Sequence, residues 1–146
     1  MLTIVFLLGA CAEPNTLTGS ISQSHDLSFD AVELRLLSEQ QVYELKYLKA
    51  LEGGGEDDKV AKVVFDQPEG GVVVGAELDL LSLSGSVQRT TAANDPFPTG
   101  LTTAIAVFAA GGNEAGETTT GKFATTFDNG KTLNGTFETE LLTVDF

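Results

Sequence analysis

Short runs in which Thr, Val, Phe and Leu alternate with polar residues, cut at close intervals by Gly, Pro, Asn and Asp, confine this chain to an all-β architecture. The C-terminal part is clearest. Gly121 to Phe127, the turn Asp128-Asn129-Gly130, and Leu133 to Phe146 read as a hairpin with a favoured turn sequence. A strand points successive side chains to opposite faces, so Phe123 and Phe127 share one face. Leu133, Phe137 and Leu141 share one across the turn. Upstream, Thr16–Ser22, Lys59–Asp66, Gly71–Leu83, Gly85–Arg89 and Leu101–Ala110 read as strands, and Pro96 and Pro98 mark residues 90–99 as a loop. Asp26–Leu37 places Leu27, Phe29 and Ala31 on one face and then Val32, Leu34 and Leu36 on the other. That change of phase predicts a bulge.

Ser38–Glu52 is the contested segment. Ser38 and Gln41 form a capping box before a run of helix formers, and Gly53-Gly54-Gly55 would stop a helix. Tyr43, Leu45 and Tyr47 also alternate with Glu44, Lys46 and Leu48, and a strand already follows at Lys59. A hairpin is therefore expected here. Together these runs predict an antiparallel β-sandwich or a small up-and-down β-barrel of about eight strands, with at most one short helix.

Of the 146 residues, 21 are acidic and eight basic, for a net charge of −13, and 42% are hydrophobic. The hydrophobic content suffices for one folded domain. The charge repels phosphate backbones and anionic headgroups, which excludes nucleic acid as an expected partner.

Candidate chemistry is sparse. His25 is the sole histidine, between Ser24 and Asp26. A strand would separate these neighbours, and no Gly-x-Ser-x-Gly elbow accompanies them, so His25 is expected to be a turn residue and no catalytic residue is assigned. One histidine and one cysteine cannot supply a zinc site. Glu56-Asp57-Asp58 and Asp128-Asn129 lack the ligand spacing of a calcium loop and read as polar turns. Gly53-Gly54-Gly55 lacks the Gly-Lys-Ser/Thr of a phosphate loop. No cofactor or metal is expected.

The N-terminus supplies an address. Met1–Ala10 is uncharged and mostly large and apolar. It is followed by Cys11, the only cysteine, and then by polar Ala12-Glu13-Pro14-Asn15-Thr16. The run is shorter than the roughly 20 residues of a spanning helix. It fits an apolar signal core with the small residues Gly9 and Ala10 at a cleavage site, although no Lys or Arg opens it. Leu8-Gly9-Ala10-Cys11 resembles the lipobox of bacterial lipoproteins. The resemblance implies cleavage after Ala10 and a diacylglycerol on the Cys11 thiol, hence a lipid-anchored protein of the bacterial cell envelope. Ala12, where some lineages place an Asp for inner-membrane retention, favours the outer membrane.

The expected organisation is a signal peptide over 1–10, a lipidated tether over 11–16 and one β-rich domain over 17–146. Its partners are the membrane, reached through the lipid, and a protein or small ligand. A non-catalytic binding or structural role is expected first. The alternative is a carrier of a small apolar ligand inside a β-barrel, which requires a large interior cavity.

Overall fold

Within the residues described by the structure, a computed structural model covering 14–93 and 95–144, the alternating runs form nine strands. They are β1 (Thr16–Thr18), β2 (Ala31–Leu37), β3 (Val42–Lys49), β4 (Asp58–Asp66), β5 (Glu77–Asp79), β6 (Ser86–Thr90), β7 (Leu101–Ala110), β8 (Thr118–Phe127) and β9 (Thr132–Val144). The architecture is all-β, as expected. One mixed sheet, in the order β5-β7-β8-β9-β2-β3-β4-β6, curls into a half-barrel.

The spine is β9. One edge pairs with β8 from Thr132 to Glu140. Its other edge first takes β1, antiparallel, with Thr136 opposite Thr16, and then β2, parallel, with Leu141 opposite Leu34. The β2–β9 ladder is the one departure from antiparallel pairing among the described residues. Through it β9 joins a half made of β1, β5, β7 and β8 to a half made of β2, β3, β4 and β6. The outermost strands, β5 and β6, are linked by a 3-10 helix, Leu80–Leu83, whose Leu80 is buried. Packed against both β7 and β4, this helix straps the ends of the sheet together.

Several local expectations hold. Ser38–Glu52 forms a turn and β3, paired with β4 as a hairpin, because tertiary pairing outweighs helix propensity. Phe123, Phe127, Leu133, Phe137 and Leu141 all face the core. Three expectations are corrected. Thr16–Ser22 is a strand only to Thr18, since Gly19, at φ 136°, turns the chain into a 3-10 helix over Ser20–Gln23. The change of phase near Ala31 is no bulge. Strand β2 starts there, and Leu27 and Phe29 belong to the irregular segment before it. Gly71–Leu83 is mostly loop, with a strand only at Glu77–Asp79; Val72 is buried while Val73 and Val74 are exposed.

Aromatic rings fill the interior. Tyr43 stacks on Phe65 at 5.2 Å, and Phe108 lies against Tyr43, Phe65 and Phe137 at 5.8, 6.3 and 5.6 Å. At the other end Tyr47 contacts Phe29 and Phe123 edge-on, and Phe97 caps Phe127. Each buried phenol finds a carbonyl. Tyr43 donates to Gly112, and Tyr47 donates to Thr136 at 2.7 Å.

Register explains the glycines of the C-terminal hairpin. Phe137 lies opposite Gly121 and Phe123 opposite Gly135. A methyl group on Gly121 would meet the Phe137 ring at 2.6 Å, and one on Gly135 would meet the Phe123 ring at 2.4 Å. Each phenylalanine covers the space that its partner's missing side chain leaves open.

Candidate functional site

The sequence-predicted cleavage and lipidation residues, Ala10 and Cys11, lie outside the described residues. From Asn15 onward the chain is fastened to β9. The Asn15 side chain accepts the Glu138 N–H at 2.8 Å, and the Thr16 and Thr136 hydroxyls are 2.7 Å apart. Ser20 and Thr132 exchange backbone-to-hydroxyl bonds of 3.0 and 2.9 Å. The point where a tether would join the domain is therefore held on the sheet.

Beside that point the outward face of β1, β9, β8 and β7 forms a shallow trough of about 300 Å³. Its lining includes Thr18, Ile105, Val107, Lys122, Ala124 and Thr136. A second depression shares Val107, Lys122 and Thr136 and extends to Pro14. On the other half the outward side chains are charged. Glu33 pairs with Arg35 and, at 3.3 Å, with Lys46, and Glu44 pairs with Lys62 at 3.2 Å. Burial works against the Glu33 carboxylate, but the Arg35 and Lys46 cations outweigh it and hold the group below its usual range.

A third arrangement gathers residues that sequence reasoning left apart. The Arg89 side chain is only 6% exposed. Its Nη1 donates to the Asp26 and Val60 carbonyls at 2.9 and 3.3 Å, and its Nε donates to Asp95 at 3.3 Å. The Thr91 hydroxyl donates to the same Asp95 oxygen at 2.8 Å. The Arg89 and Thr91 bonds hold the Asp95 carboxyl below its usual range. His25 Nε2 lies 2.6 Å from the Pro96 carbonyl and 3.9 Å from Asp95, while Nδ1 is 2.9 Å from the Ser24 hydroxyl. A carbonyl only accepts, so Nε2 carries a proton; in the neutral ring Nδ1 then accepts from Ser24.

His25 does lie in a turn, as expected, and for that reason the strand argument that separated it from Ser24 does not apply. The bond from Nε2 ends on a backbone carbonyl while Arg89 and Thr91 hold Asp95. The cluster therefore pins the loop that seats Phe97 over Phe127, with the His25 ring edge-on to Phe97 at 5.2 Å. No sequence spacing signals this cluster, because its members come from three separate segments.

The residues of the expected polar turns are bonded within the protein. Glu56 pairs with Lys59, Asp58 accepts the Ala92 N–H at 2.8 Å, and Asn129 accepts the Lys131 N–H at 2.9 Å. Among the described residues no three His, Cys, Asp or Glu side chains are grouped to hold a metal ion.

Asp26 supplies a pH prediction. Its carboxylate accepts the Ser28 N–H at 2.9 Å, the Ser28 hydroxyl and the Lys49 ammonium at 3.1 Å, which lower its pKa from 3.8 to about 2. A depressed folded-state value stabilises the fold above the unfolded value, and that contribution is lost as pH falls from 3.8 through about 2. Denaturation midpoints across this range are expected to decline less steeply for Asp26→Asn than for the parent. Parallel declines would show that this carboxylate does not couple to folding.

Comparison with protein-family models, with curated proteins and with solved structures yields no match to this chain.

Proposed function

We propose that this chain is a lipid-anchored protein of the bacterial cell envelope, at the outer membrane, whose β domain has a non-catalytic binding or structural role. The observation that carries the reading is the placement of the single cysteine. Cys11 follows an uncharged apolar run with Gly9 and Ala10 immediately before it, and stands four residues ahead of Asn15, whose side chain accepts the Glu138 N–H. Two or three acyl chains suffice for stable anchoring without a spanning helix.

Supporting a surface role, the half-barrel interior holds Tyr43, Tyr47, Phe65, Phe108, Phe123 and Phe137, in the space that an apolar carrier would need for its ligand. The engagement of His25 with Pro96 gives the histidine a structural task and supports the non-catalytic reading.

The test is the intact mass of membrane-fraction protein expressed in a bacterium, compared with a Cys11→Ser variant. Loss of Met1–Ala10 together with an added diacylglycerol, both absent from the variant, is the expected result. An unmodified chain retaining Met1 would overturn the anchored reading.

A further inference from the structure

We propose that the outward face of β1, β9, β8 and β7 is the surface that this domain lays against the lipid bilayer. The inference rests on the anchored reading above and adds an orientation to it.

Reach is the first argument. From Cys11 to Pro14 the chain advances three residues, which span at most roughly 10 Å when fully extended. A domain of this length has a radius of gyration of roughly 14 Å, so such a tether is shorter than the domain is wide. Pro14 borders the depression formed with Val107, Lys122 and Thr136, and the Asn15 and Thr16 bonds to β9 prevent the first strand from swinging away. The surface brought closest to an anchored Cys11 is therefore this face.

Desolvation is the second argument, and it is independent of the tether. A surface meets the headgroup boundary most readily where it has the fewest charges to strip of water. Across β7, β8, β9 and β1 the trough is lined by Ile105, Val107, Ala124 and threonines, and its one charged side chain is the cation Lys122. Acidic Glu77 and Asp79 flank it on β5, and Glu138 and Glu140 lie beyond it on β9. The opposite half would have to bring the Glu33–Arg35–Lys46 and Glu44–Lys62 ion pairs out of water, which is far more costly than desolvating threonine and valine. Half-buried Ile105 and Val107, on an outward face with few charges, are suited to a headgroup boundary.

In the lipidated protein the Cys11 sulfur is consumed, so a cysteine introduced elsewhere is the only free thiol. Ala124→Cys on the proposed face and Gln88→Cys on β6 alter exposed positions, and each would carry a fluorophore. The lipidated proteins would be reconstituted into phosphatidylethanolamine–phosphatidylglycerol vesicles containing a headgroup spin-labelled lipid. Loss of fluorescence at position 124, with position 88 unaffected, is expected. Equal quenching at both positions, or at neither, in protein whose mass shows the lipid would overturn the orientation and leave the anchor standing. A mass without lipid would overturn the anchored reading and the orientation together.

Discussion

Phe108→Ala is expected to destabilise the domain by about 3–5 kcal/mol and to lower its melting temperature by on the order of 10 °C. The ring is 1% exposed and lies on β7, in one half of the sheet. Two of its neighbours, Tyr43 and Phe65, belong to the other half, while Phe137 comes from the shared strand β9. Truncation removes the transfer energy of the ring and leaves a hole bounded by three large aromatics, two of which, Tyr43 and Phe65, are already stacked on each other and cannot collapse freely. Val74→Ala is the control. That side chain is 53% exposed, and its loss should change stability by no more than about 0.5 kcal/mol. Urea denaturation of both variants decides the matter. A cost for Phe108→Ala close to that of Val74→Ala would mean that the halves are not interlocked at this ring.

The second large effect is expected at Gly135, from the addition of a single methyl group. A Cβ there would sit 2.4 Å from the Phe123 ring and 2.7 Å from the Tyr47 hydroxyl, which is tied to Thr136. One of the two rings must move, and overpacking of this kind costs about 1–3 kcal/mol, occasionally more. The diagnostic measurement is a double-mutant cycle. In a Phe123→Leu background, where the colliding ring is gone, Gly135→Ala should cost clearly less than in the parent. Equal costs in the two backgrounds would assign the effect to the Tyr47 hydroxyl and remove the ring-over-glycine explanation.

That pair also shows what was legible beforehand. The turn Asp128-Asn129-Gly130 between alternating runs announces a hairpin, and period two puts Phe123 and Phe127 on one face and Leu133, Phe137 and Leu141 on one face, the faces that the core buries. The segment around Tyr43 and Tyr47 is read correctly by the same rule, against its helix propensity. Alternation carries no information about strand direction, so the parallel meeting of Leu34 with Leu141 leaves no trace in the pattern.

Apolar runs mislead where the chain is irregular. Leu27 and Val72 are buried from loops, and a buried loop residue is indistinguishable from a strand residue by hydropathy alone. The Arg89–Asp95–His25 cluster was illegible because hydrogen bonds to the carbonyls of Asp26, Val60 and Pro96 build it, and carbonyls have no sequence signature. The proposed cleavage and lipidation residues are the opposite case: Ala10 and Cys11 are proposed from local chemistry alone, and the chain after them meets β9 at Asn15.

The position of β9 also bears on how the polypeptide acquires its fold. The strand that completes both halves is made after the other described strands, and its partners include Thr16 and Leu34, more than a hundred positions earlier. Contacts so distant in sequence make loop closure the slow step, placing such topologies in the millisecond-to-second range rather than the microseconds of helical bundles. Until residues 132–144 arrive, β2 and β8 each keep an open edge, and a nascent chain in that state is a substrate for holding factors. The same delay leaves the complete sheet unformed until β9 has been made.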